Sequence, residues 1–246
     1  MKEIIQKAWT KDPPQKIMNQ LLNFYNQGQL SNAVAQAKAL LIQYPDKVII
    51  WNIMGAANKA LGRIEEASEA FKKVTELKPS DSEAFNNLGV TLNDQGKLEE
   101  ALEVYNKAIS LKPEYAEAHY NLGLTLQEQG KLEESIESYN KALSLKPDYI
   151  NAHNNVGNAF RDQGKLKEAM EAYKIALSMK PGYAEVHNNM GLILHQQSKL
   201  EESIESYKKA ILLKPNYADA YNNMGNALKD QGQLGLAIKA YKTAIS

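Results

Sequence analysis

Residues 118–147 read AHYNLGLTLQEQGKLEESIESYNKALSLKP, and residues 186–215 read VHNNMGLILHQQSKLEESIESYKKAILLKP. The second stretch begins 68 residues after the first, which is twice 34. Lys-Pro pairs keep the same count: Pro79, Pro113, Pro147, Pro181 and Pro215 are each 34 apart, and Pro45 carries the series back toward the N-terminus. Six full repeats follow from this, 14–47, 48–81, 82–115, 116–149, 150–183 and 184–217, with a seventh, incomplete, at 218–246. A period of this size marks a chain of stacked supersecondary units.

Positions within a repeat are counted from the third residue after the proline. Positions 3, 4, 7, 8, 10 and 11 are small or apolar, as in Ala118, His119, Leu122, Gly123, Thr125 and Leu126. At about 100° per residue they share one arc of a helix, and positions 2, 5, 6, 9, 12 and 13 take the opposite arc. The spacing therefore predicts a first helix with one packing stripe and one free stripe. Glycine at position 15 (Gly28, Gly62, Gly96, Gly130, Gly164, Gly232) supplies the left-handed residue that ends it, and only Ser198 departs, at an expected local cost. A second helix buries a seam such as Leu98, Ala101, Tyr105, Ala108 and Leu111. Its outer face pairs Glu with Lys four residues on, as in Glu69–Lys73, Glu103–Lys107, Glu137–Lys141 and Glu205–Lys209. Proline then stops the helix. No single pair buries its own apolar face, so the pairs must stack, which gives an all-α chain and an α-solenoid of antiparallel helix pairs. Residues 1–13 carry Ile4, Ile5, Ala8 and Trp9 at helical spacing before Pro13 and Pro14, and read as an N-terminal capping helix or a tail.

With an aromatic or His at position 4, Leu-Gly or Met-Gly at 7–8, Ala at 20, Tyr at 24, Ala at 27 and Pro at 32, the unit resembles the tetratricopeptide repeat. The third repeat shows the pattern in Phe85, Leu88, Gly89, Ala101, Tyr105, Ala108 and Pro113. The first departs furthest, with Gln20, Leu21 and Ala37 at key sites, and reads as a cap. The resemblance implies a right-handed superhelix. More narrowly, the Asn-Asn-Leu-Gly and Asn-Asn-Met-Gly texture is similar to the repeat region of O-linked N-acetylglucosamine transferases. It also resembles the repeats that precede sulfotransferase or glycosyltransferase domains in some bacterial proteins.

Composition narrows the function. The chain of 246 residues has 29 Lys+Arg against 29 Asp+Glu, so it offers phosphates no net attraction and no nucleic-acid partner is expected. Cysteine is absent, which removes disulfides, thiolate nucleophiles and thiolate metal ligands. The most apolar stretch, residues 48–57, is well short of the roughly 18 residues that cross a membrane. Nothing near Met1 has the long apolar core of a secretion signal, so a cytoplasmic location is expected. His119, His153 and His187 all fall at position 4, on helices spaced about 9–10 Å apart. A metal needs its nitrogens about 2 Å from one point, so they read as core residues. His195 lies on the free stripe. Ser135, Ser138, Ser203 and Ser206 sit at packing and surface positions, and no phosphate loop or metal motif is present. Neither enzymatic activity, a metal nor a cofactor is expected of the chain itself.

The free stripe carries amides. Position 6 is Asn87, Asn121, Asn155, Asn189 and Asn223; position 5 is Asn86, Asn154, Asn188 and Asn222; position 9 adds Asn158 and Asn226. Asn is a mediocre helix former, so its recurrence asks for a reason. One reading is a ladder whose carboxamides pair with both groups of a passing peptide. Helices about 9 Å apart would meet every third residue or so of a strand rising about 3.3 Å per residue. In the transferases that this region resembles, such a ladder binds the substrate backbone. The other reading is bonding between neighbouring repeats. Position 2 (Glu83, Glu117, Asn151, Glu185, Asp219) and position 13 (Asp94, Glu128, Asp162, Gln196, Asp230) make the stripe acidic, although position 12 contributes Arg161 and Lys229. The expected partner is a protein segment or extended peptide, neutral to basic. Two alternatives are a substrate-recruiting region of a larger bacterial glycosyltransferase or sulfotransferase, and self-association through a C-terminal face exposing Leu234, Ile238 and Tyr241.

Overall fold

A computed structural model describes residues 12–245, so the capping helix expected from Ile4 to Trp9 lies outside the described residues. Fourteen helices occur among the described residues: α1 Gln15–Asn26, α2 Leu30–Gln43, α3 Val48–Ala60, α4 Ile64–Leu77, α5 Ser82–Asp94, α6 Leu98–Leu111, α7 Ala116–Glu128, α8 Leu132–Leu145, α9 Ile150–Asp162, α10 Leu166–Met179, α11 Ala184–Gln196, α12 Leu200–Leu213, α13 Ala218–Asp230 and α14 Leu234–Ala244. Odd-numbered helices are the first of each repeat and even-numbered ones the second. The described residues divide at Thr125 and Leu126, inside α7, into two compact halves.

In the first half α1 to α6 pack each on the next in chain order, and α1 also meets α3. The second half repeats this arrangement from α8 to α14, with the first helices of successive repeats, α9, α11 and α13, in touch. Each half is thus an α-solenoid of stacked helix pairs. The core follows the apolar periodicity. Ala101, Tyr105 and Ala108 of α6 are buried, as are Ala169, Tyr173 and Ala176 of α10 and Tyr207 and Ala210 of α12.

Two turns alternate and each has a residue-level cause. After α5, the Gly96 N–H donates to Asn93 O at 2.8 Å and the Lys97 N–H to Leu92 O at 2.9 Å, which closes the helix with Gly96 at φ 72°. At Ser198, φ 58°, the turn keeps the same two bonds: the Ser198 N–H donates to His195 O and the Lys199 N–H to Leu194 O, both at 2.9 Å. The second turn holds Lys-Pro-x-Tyr. Here the Lys112 ammonium sits 4.8 Å from the centre of the Tyr115 ring, and Lys180 sits 4.3 Å from that of Tyr183.

Glycine at position 8 is required by packing. A Cβ on Gly89 would lie 2.5 Å from the Tyr105 ring, and one on Gly157 would lie 2.4 Å from Tyr173. The pair of position 8 and position 24 fixes how closely the two helices of one repeat approach.

Two expectations are corrected here. Lys73 pairs with Glu76 at 3.0 Å instead of Glu69, because i,i+3 carboxylates also lie within reach of a long ammonium side chain. Tyr241 is only partly exposed, since its ring packs against Gly225 and its hydroxyl donates to Asn226 Oδ1 at 2.8 Å. Leu234 and Ile238 are exposed as expected.

Candidate functional site

The amides of positions 5 and 6 lie on opposite sides of the contact between repeats. In the first half Asn121 Nδ2 donates to Asn86 Oδ1 at 2.9 Å, a bond spanning 35 residues. In the second half Asn189 Nδ2 donates to Asn154 Oδ1 at 3.2 Å and to Asn158 Oδ1 at 3.0 Å, and Asn223 Nδ2 donates to Asn188 Oδ1 at 3.0 Å. Position 6 of one repeat thus ties to position 5 of the repeat before it. Asn86, Asn154 and Asn188 are accordingly buried, not laid along an open stripe, whereas Asn222, in the last repeat, is exposed. The helical wheel shows which arc position 5 occupies but not that the next helix pair covers it.

These bonds orient the remaining atoms. At Asn121, Asn189 and Asn223 the amide nitrogen is committed to the preceding repeat, and no hydrogen bond of the carbonyl oxygen is seen among the described residues. Asn155 is arranged differently: its Oδ1 accepts from Asn154 Nδ2 at 3.1 Å and Asn158 Nδ2 at 3.5 Å. Asn158 and Asn226 also accept from tyrosine hydroxyls, those of the buried Tyr173 at 2.7 Å and the half-buried Tyr241 at 2.8 Å, so position 9 serves the packing of its own repeat. Asn87 is half-buried and lines a cleft of about 670 Å³ in the first half, together with Tyr25, Asn52, Lys59, Phe71 and Glu83.

A second link between repeats joins position 12 to position 13 of the next. Lys59 lies 3.6 Å from Asp94, Gln127 Nε2 3.4 Å from Asp162, and His195 Nε2 2.8 Å from Asp230. Arg161 and Lys229 face the adjacent Asp162 and Asp230, at 2.9 Å and 4.0 Å, so the basic members of the stripe are offset by carboxylates. The position-4 histidines His119, His153 and His187 each bond the backbone carbonyl of the preceding proline at 3.0 Å, where Trp51 Nε1 donates to Pro45 O at 2.7 Å. They seal the turn between repeats.

Carboxylates stand beside the tyrosines of the turns between repeats. Burial first, and then the carboxylates of Glu83, Glu117 and Asp81, push the Tyr115 hydroxyl up to about 12. Burial also raises Tyr217, with Glu185 and Asp219 adding to it. Asp81 caps α5 by accepting from the backbone N–H groups of Glu83 at 3.1 Å and Ala84 at 3.2 Å. Burial works against its ionisation, but Lys78 at 2.8 Å and those two N–H groups outweigh it and hold the carboxyl below the usual range.

The sequence profile described as TPR repeat matches residues 55–96, 91–130, 126–160, 157–198 and 191–232. The chain belongs to the TPR repeat family. Among solved TPR structures, that of MamA is 28% identical, covers 67% of this chain and 96% of its own, and has a TM-score of 0.60. YrrB, described as a TPR protein with an unusual peptide-binding site, is 24% identical over 73% of this chain and 92% of its own, at a TM-score of 0.58. A tetratricopeptide repeat protein from Parabacteroides merdae ATCC 43184 is 18% identical over 94% of this chain and 91% of its own, at 0.79. At their identities the last two share the TPR fold alone. No curated protein matches the chain in sequence. No helix among the described residues is long and apolar enough to cross a membrane.

Proposed function

We propose that this TPR chain is a protein-interaction scaffold that holds extended peptides against the amide-bearing faces of its repeats. The observation that carries the reading is the fixed orientation of the position-6 amides. Because Asn121, Asn189 and Asn223 spend N–H donors on the preceding repeat, each offers an acceptor to a passing backbone N–H. The peptide-binding site named for YrrB, on the same fold, agrees with this use of the repeat.

Magnitudes limit what the amides do alone. Three oriented acceptors, at Asn121, Asn189 and Asn223, and the amide of Asn87 contribute about 1 kcal/mol each. Ordering a peptide costs about 1–2 kcal/mol per residue, so bound side chains must add affinity. The cleft beside Asn87 suits this task, since its lining combines the Tyr25 and Phe71 rings with Lys59 and Glu83. Exposed carboxylates at Glu83, Asp94, Glu128 and Asp219 favour neutral to basic peptides. No catalytic step is assigned to any residue of the chain.

The test uses backbone-edited peptides. Replacing single peptide N–H groups of a captured peptide by ester oxygens is expected to weaken binding about fivefold at the contacted positions. Weakening the carbonyls as acceptors, by thioamide substitution, should leave it unchanged. The opposite pattern would overturn the acceptor reading.

A further inference from the structure

We infer a second docking surface, on the opposite face of the last two repeats, that takes an acidic amphipathic helix of a partner protein. A groove of about 460 Å³ runs between α12 and α14 with α13 as its floor. Tyr221, Met224 and Leu228 line it from positions 4, 7 and 11 of α13, on the arc opposite the amides. Its walls add Ile204 from α12 and Leu236 and Ala240 from α14.

The chain's own repetition supplies the control. Position 19 is Glu in the second to sixth repeats (Glu66, Glu100, Glu134, Glu168, Glu202), and position 22 is also Glu in those five (Glu69, Glu103, Glu137, Glu171, Glu205). All ten are exposed, so a following repeat does not cover these positions. In the last repeat they become Leu236 and Lys239. Leu236 is 54% exposed, an apolar side chain where the repeat otherwise puts a carboxylate. Burial in a fold cannot explain it; burial against a partner can.

Charge selects the occupant. The equivalent groove in the first half, between α4 and α6, is about 480 Å³ and is rimmed by Glu65, Glu69, Glu76, Glu100 and Glu103 against Lys72 and Lys97. The groove of the last repeats has Lys208 and Lys239 on its rim, and its one carboxylate, Glu201, accepts from Gln231 Nε2 at 2.6 Å. Among the described residues neither lysine has an acidic partner. Two unpaired ammonium groups beside an apolar floor match a segment with apolar anchors flanked by carboxylates. Ile204 to Lys208 on one wall and Leu236 to Ala240 on the other each span about one helical turn, roughly 6 Å, which gives room for the anchors that a docked helix presents one turn apart.

The experiment is fluorescence anisotropy on the whole chain with a labelled helical peptide of Leu and Glu at helical spacing, and a Leu and Lys peptide as control. The acidic peptide should bind and the basic one should not. Leu236→Glu with Lys239→Glu, which restores the residues of the other repeats and so suits the fold, should weaken the acidic peptide about tenfold or more with helicity unchanged. Lys239→Gln should weaken it less. Equal binding of both peptides, absence of binding by the acidic one, or an unchanged affinity in the double variant would overturn the proposal. A double variant that changes only the mass of self-associated chain would overturn it too, in favour of a second copy as occupant. Peptide capture at the amides on the other side of α13 is independent of every one of these outcomes.

Discussion

Gly157 and Gly235 show how one residue type carries different constraints. Gly157 faces Tyr173, a ring that is fully buried, and an added Cβ would fall 2.4 Å from it. Gly235 stands near the start of α14 with nothing within 4 Å. Gly157→Ala should therefore lose about 1–2 kcal/mol, overpacking outweighing the helix propensity gained. Gly235→Ala should gain about 0.5–1 kcal/mol. Chemical denaturation of the two variants checks both signs. Asp81 is the other residue-scale case. Its carboxyl is held below 3.8, so the stability it contributes is present above that value and is lost as pH falls through the lowered folded value. Asp81→Ala should cost about 1 kcal/mol at neutral pH, and the difference from wild type should close as acid is added below about pH 4.

At the scale of the element, the left-handed end of each first helix was legible from glycine alone, and so was its exception. Ser198 adopts the glycine conformation, φ 58°, and keeps both closing bonds. Ser198→Gly should raise stability by about 1 kcal/mol, the strain of a left-handed residue with a Cβ, as read from the thermal midpoint. Position 5 was not legible in the same way. A wheel drawn for α5 places Asn86 beside Asn87 on one arc, yet Asn86 is buried and Asn87 half-buried. The difference comes from the next helix pair, whose Asn121 donates across the contact. The signal was present as a spacing of 35, one more than the repeat, and pairs such as Lys59–Asp94 and His195–Asp230 share it. Removing such an amide should cost more than a surface substitution does. Asn189→Ala removes the donor that Asn154 Oδ1 receives across the contact, while Asn158 Oδ1 keeps the Tyr173 hydroxyl, and should lose about 1–3 kcal/mol in denaturation.

For the molecule as a whole, the 34-residue period was enough to read the fold class, because the left-handed residue that ends each first helix recurs at the same position in every repeat. The binding surface was read less completely. Its residue types were visible, but the share of each amide committed to the solenoid depends on contacts between repeats. The cleft beside Asn87 draws on Tyr25 and Lys59, which no single repeat brings together. Within the second half, α13 carries amides on one arc and lines the groove with Tyr221, Met224 and Leu228 on the other.

The most direct test of the central claim is capture of an extended-peptide library by the wild-type chain and by a variant with Asn87, Asn121, Asn189 and Asn223 changed to Ala. Helicity is recorded on both, and Asn87→Ala alone serves as the variant without an amide bond between repeats. The account predicts capture by wild type with little sequence preference, a drop of about fivefold for Asn87→Ala, and loss of capture by the fourfold variant. Equal capture by all three folded proteins, or capture by none, would contradict it and leave the amides as the joints between repeats.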